Sequence, residues 1–177
     1  MTVNPGVPVR RRRIAGLLAL LWPGGMAAQG LPDWIVVDTA GRTVSLTLQV
    51  EAGGPGGIAT LNGLHHGMAQ LVVPLNWTVK WTWVNRDSVQ SHSLVVMAER
   101  EKLPQEGGRP ALENALSRAV LVGLKPGQRD LTTFVADQAG WYWLLCGVPT
   151  HAIRGEWIGF KVDRDATGPA VIVRPAP

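Results

Sequence analysis

Cys146 and His151 stand five residues apart in Cys146-Gly147-Val148-Pro149-Thr150-His151, and His92 lies far upstream in Ser91-His92-Ser93-Leu94-Val95-Val96. One thiolate and two imidazoles drawn from separated segments form the donor set of a copper ion that cycles between Cu(I) and Cu(II). The soft sulfur favours Cu(I), the imidazoles accept both states, and a near-trigonal plane lets the charge change with little nuclear movement. Such a centre passes electrons one at a time. Binding needs a deprotonated thiol and neutral imidazoles, so affinity is expected to fall in acid. Cys146 is the single cysteine of the chain. It has no disulfide partner within the chain, and a metal bond would protect its sulfur from oxidation. A buried, inert thiol is the alternative, and the histidine five residues on favours the metal.

Glu156 is a fourth candidate. It precedes the alternating run Trp157-Ile158-Gly159-Phe160-Lys161-Val162. If a strand opens at Glu156, the carboxylate shares a face with Ile158, Phe160 and Val162 and points inward. An unpaired carboxylate is costly there, and a bond to the metal would offset that cost. If the strand opens one residue later, Glu156 turns to solvent or pairs with Arg154. Both readings stand. Ser93, beside His92, is placed to bond the thiolate through its backbone or hydroxyl and so tune the centre; a solvent-facing serine is the other reading. His65 and His66 form a pair, but adjacent strand residues point to opposite sides, so they are expected to be exposed loop histidines rather than joint ligands.

These residues need a rigid frame, and the chain reads as short strands between Gly and Pro turns. Val44, Leu46, Leu48 and Val50 alternate with polar residues, as do Trp77, Val79, Trp81 and Trp83; each is the pattern of a half-buried strand. Ile58 to Leu61, Met68 to Val73, Leu131 to Val135, Gly140 to Cys146, Glu156 to Val162 and Ala170 to Val173 add further strands. His92 shares parity with Leu94 and Val96, and Cys146 with Leu144 and Tyr142, so both should face inward. The fold class is all-β, a Greek-key sandwich. Residues 28–43 read as an irregular lead-in and 44–177 as one domain. Residues 99–128 are charged and read as a surface insertion, with a short helix at Pro110 to Arg118 that has Pro in its first turn.

Composition narrows the setting. The net charge is +4, yet Arg10 to Arg13 supply four cations within a leader that holds no Asp or Glu. The rest of the chain is neutral, which argues against a nucleic-acid-binding face. Residues 1–27 read as a signal peptide: an arginine n-region, an apolar run from Ile14 to Leu21 too short to span a membrane, then small residues. An uncleaved anchor is the alternative. No Cys stands just after the apolar run, which excludes a lipoprotein anchor there.

The chain resembles the cupredoxins, and within them the sulfocyanins. The resemblance rests on Leu61-Asn62-Gly63, Val73-Pro74, Ser91 to Val96, Lys125-Pro126-Gly127-Gln128, Cys146 to His151 and Gly155-Glu156-Trp157. It implies a type 1 copper site with His92, Cys146 and His151 in the equatorial plane. It also implies an exported monomer that shuttles electrons between respiratory partners such as cytochromes or a terminal oxidase, with no membrane span in the mature form. The sulfocyanin pattern has Met five residues after the second histidine, where this chain has Glu156, and Thr150 replaces a common Gly. An anionic axial ligand would favour Cu(II) and lower the potential. Colour and potential therefore stay open, as do a red-copper-like protein with an open site acting as enzyme or sensor, and a copper-assembly protein. The resemblance further suggests an apolar docking patch of Pro149, Ala152 and Ile153 around His151.

Overall fold

In the computed structural model, which describes residues 1–2 and 30–174, the alternating runs become ten strands in two five-stranded sheets. Residues 3–27 of the proposed leader lie outside the described residues. The first sheet joins β1 (Ile35–Asp38), β2 (Thr43–Glu51), β5 (Thr78–Asn85) and β7 (Arg129–Val135), with β3 (Thr60–Leu61) paired to β2. The second runs β10 (Ala170–Val173), β4 (Ala69–Pro74), β9 (Trp157–Asp163), β8 (Gly140–Leu145) and β6 (Val95–Ala98). β2 pairs parallel with β5, and β4 with β9; the remaining pairings are antiparallel.

The core follows from the alternation. Val44, Leu46, Leu48 and Val50 are at most 2% exposed, and they lie in register with Val79, Trp81, Trp83 and Asn85. Trp81 packs on Phe134 at 5.1 Å, and Phe134 reaches across to Phe160 of the other sheet at 6.2 Å. Such aromatic pairs add about 0.5–1.5 kcal/mol each beyond the area they bury. Plain packing is thus the role of the Trp81 and Trp83 rings, although both indole N–H groups are buried without a partner.

Three expectations are corrected. Residues 28–43 are not wholly irregular, because Ile35–Asp38 pairs with β2. Residues 110–118 form no helix: positive φ at Asn114 and Ala119 breaks the turn repeat. Nor is the 99–128 segment a surface appendage. It lies along the free edge of β6, where Ala111 N–H donates to Val96 O and Val96 N–H to Ala115 O, and it buries Leu112 and Ala115 completely. An uncovered edge would expose unpaired N–H and C=O groups, so the insertion completes the sheet without helical periodicity. Among the described residues no helix is long and apolar enough to cross a membrane.

Candidate metal centre

Two connections meet at one end of the sandwich. The crossover from β5 to β6 carries His92, and the β8–β9 loop carries Cys146, His151 and Glu156. The second loop is closed on itself: Cys146 N–H donates to Glu156 O, Glu156 N–H to His151 O, and a single 3-10 turn, Ala152–Arg154, lies between. Gly155 has φ of +118°, and the His66 ring occupies the space where a side chain would begin. Both facts demand glycine there. Thr150 adopts φ of +71°, a costly conformation for a β-branched residue, held by Thr150 N–H donating to Gln105 O. This is the position where the resembling pattern carries Gly.

His92, Cys146, His151 and Glu156 converge, one ligand atom of each lying within 4.8 Å of the others. Sγ of Cys146 is 3.5 Å from Nδ1 of His151, which is 3.1 Å from Oε2 of Glu156. Nδ1 of His92 is 3.0 Å from the same Oε2. Cys146, His92 and Glu156 are 0, 1 and 4% exposed, while the His151 side chain keeps 12%. Of the two readings of Glu156, the inward one describes the side chain, although β9 itself opens at Trp157. Arg154 is exposed and is not its partner.

Electrostatics follows from burial. The Cys146 thiol is pushed up well above its ordinary pKa by desolvation, with the Glu156 carboxylate adding to the effect. Burial would also raise Glu156, but hydrogen bonds from His151 and His92 outweigh it and hold the carboxyl below its usual range. Burial would lower His92, yet its bonds to Glu156 and Asp87 prevail and raise it.

The donor set fits a copper ion. First-row metals bind N and S at about 2.0–2.3 Å, which places neighbouring ligand atoms about 3–4 Å apart, and the observed separations lie near that range. Oε1 of Glu156 lies 2.8 Å from His92 Nδ1 in an ion-pair contact and has no further hydrogen-bond partner. A buried carboxylate beside a thiol and two imidazoles is a donor set that a metal cation would satisfy.

Ser93 sits against the sulfur. Its backbone N–H donates to Cys146 Sγ at 3.4 Å, and its hydroxyl accepts from Gly147 N–H and donates to Val120 O. Gly107 N–H donates to Gly147 O from the other side, so the 99–128 segment holds the cysteine end of the loop. Of the His65–His66 pair, His66 is the exposed loop residue expected, and His65 departs from expectation. They lie in a loop, their Nδ1 atoms are 2.9 Å apart, and His65 is largely buried. Strand alternation does not apply there, and His66 has φ of +46°. In the suggested docking patch Ala152 is fully buried, leaving Ile153 and Pro149 exposed. Asp87 was missed: it is 2% exposed, and its Oδ2 lies 3.1 Å from Nε2 of His92. An aspartate in a polar loop gives no sign in sequence that the loop will fold around it.

The sequence model of the Sulfocyanin (SoxE) domain family matches residues 33–173. A sulfocyanin of Sulfolobus acidocaldarius is 24% identical over 145 residues, which cover 76% of this chain and 71% of that protein. Among solved structures, rusticyanin from Thiobacillus ferrooxidans aligns with 74% of this chain and 87% of its own at 23% identity and a TM-score of 0.44. A copper-containing nitrite reductase from Thermus scotoductus aligns with 69% of this chain and 28% of its own at 20% identity and a TM-score of 0.48.

Proposed function

The chain belongs to the sulfocyanin family, copper-binding electron-transfer proteins of the cupredoxin group, and we propose that it carries electrons outside the cytoplasm at a centre held by His92, Cys146, His151 and Glu156. The observation that carries this reading is the convergence of these four side chains, three of them almost wholly buried, at one end of the sandwich. Bound copper would supply a one-electron couple between Cu(I) and Cu(II). The residues do the rest. Cys146 gives the soft donor, and Ser93 N–H holds its sulfur in place. His92 and Glu156 approach from opposite loops of a frame packed around the site, so their spacing is fixed before the metal arrives. His151 alone reaches the surface and offers the short route for an electron to leave. The redox partner, a cytochrome or an oxidase, would meet the chain at His151, beside which Ile153 is exposed two residues on. Residues 1–27 serve as the export signal.

The test is a copper titration followed by visible and paramagnetic-resonance spectra. An intense thiolate-to-copper band and reversible one-electron reduction are the expected results; copper bound without that band overturns the reading. A second reading, a copper enzyme or sensor, draws on the cleft between Ile58, Gln90 and Arg154 that leads to His92 and Glu156. It requires the oxidised protein to bind azide at the metal, and a carrier does not.

A further inference from the structure

Asp87 lies where the chain leaves β5. Its loop is wound around its own carboxylate. Oδ1 accepts from Val89 N–H at 2.7 Å and from Gln90 N–H at 3.0 Å, while Oδ2 lies 3.1 Å from Nε2 of His92. Asp87 N–H donates to Oδ1 of Asn85, and Nδ2 of Asn85 donates to Gln90 O and Leu124 O, each at 2.8 Å. Asn85 is fully buried. The backbone of His92 is fixed in turn, because His92 N–H donates to Leu124 O and Leu124 N–H to His92 O. Gly123, with φ of +79°, packs so closely that a β-carbon there would lie 2.7 Å from His92 N. Neither carboxylate nor ring is free to turn.

The two ring nitrogens of His92 therefore face different groups. Nδ1 faces Glu156, and Nε2 faces Asp87. An imidazole that binds a metal through Nδ1 must carry its proton on Nε2, and an acceptor at Nε2 selects that tautomer and makes Nδ1 a stronger donor.

We propose that Asp87 is the positioning residue of the copper centre, holding the Nε2–H of His92 so that Nδ1 is presented as the ligand, and that it stabilises Cu(II) over Cu(I). The inference rests on the copper reading above. It explains why a carboxylate rather than an amide stands here. Two N–H donors need one oxygen and Nε2–H needs the other. An asparagine has a single acceptor oxygen, so one side would meet an N–H facing an N–H.

The experiment compares the parent protein with Asp87→Asn and Asp87→Ser. The serine keeps a hydrogen-bonding loop residue but is too short to reach Nε2. Three quantities are read for each: melting temperature of the copper-free protein, Cu(II) affinity against a coloured chelator, and reduction potential. Both variants are expected to bind Cu(II) about 10–100-fold more weakly and to show a raised potential, and Asp87→Glu is expected to restore part of both. Two results overturn the role of Asp87: a folded variant of either kind with the parent's affinity and potential, or a lowered melting temperature with the potential unmoved. A parent protein without the thiolate band instead sinks the copper reading, and this inference with it.

Discussion

At the scale of single residues, the centre is a balance between burial and pairing. Hydrogen bonds from His151 and His92 hold Glu156 below its ordinary pKa of 4.5, and bonds to Glu156 and Asp87 hold His92 above its ordinary 6.5, in each case against desolvation. A carboxylate whose pKa is depressed on folding stabilises the fold above 4.5 and loses that contribution as pH falls through the folded value. An imidazole whose pKa is raised stabilises fully below 6.5 and loses it as pH climbs through the folded value. The copper-free protein should therefore melt highest between pH 4.5 and 6.5 and lower on both sides, as a thermal-melt series will record. Copper reverses these preferences, since it takes a thiolate and neutral imidazoles. Binding should release protons, measurable by calorimetry in buffers of different ionisation enthalpy, and should weaken as pH falls. Glu156→Met replaces an anion with a neutral thioether. The potential should rise and the blue band deepen in voltammetry and absorption; if neither moves, Glu156 does not touch the metal.

At the scale of elements, two segments support the ligand loop in ways their composition conceals. Leu112 is fully buried beneath the edge of β6, although its neighbourhood is polar and Pro-rich. Leu112→Ala should cost about 2–5 kcal/mol in denaturant unfolding, as a core leucine does. A surface insertion would lose almost nothing. Thr150 stores strain beside His151. Thr150→Gly should stabilise the copper-free protein by about 1 kcal/mol, from relief of the left-handed conformation, and so raise its melting temperature by about 2–4 °C. The Gln105 contact is to the backbone of residue 150 and survives the change.

At the scale of the whole molecule, the two sheets share one aromatic core that owes nothing to the metal. Trp81, Phe134, Phe160 and Tyr142 link them ring to ring. The copper-free protein is expected to keep its strand circular dichroism and a cooperative melt. Saturating copper, at 1,000 times its dissociation constant, should add about 4 kcal/mol by mass action. A copper-free chain without cooperative unfolding would show that the frame is assembled by the metal instead.

The sequence by itself determined the strand alternation, the inward parity of His92 and Cys146, and the order of the ligand loop, because period-two burial and turn residues act over a few neighbours. It left Glu156 divided between two faces, since one residue of strand register reverses a side chain. It was silent about Asp87, and it misread Leu112 and the burial of His65. Those were decided in three dimensions, where a loop closed around a carboxylate, an irregular segment covered a sheet edge, and a left-handed residue turned one ring toward its neighbour. Contacts between residues distant in the chain leave no periodic trace in it, so only the folded molecule holds that information.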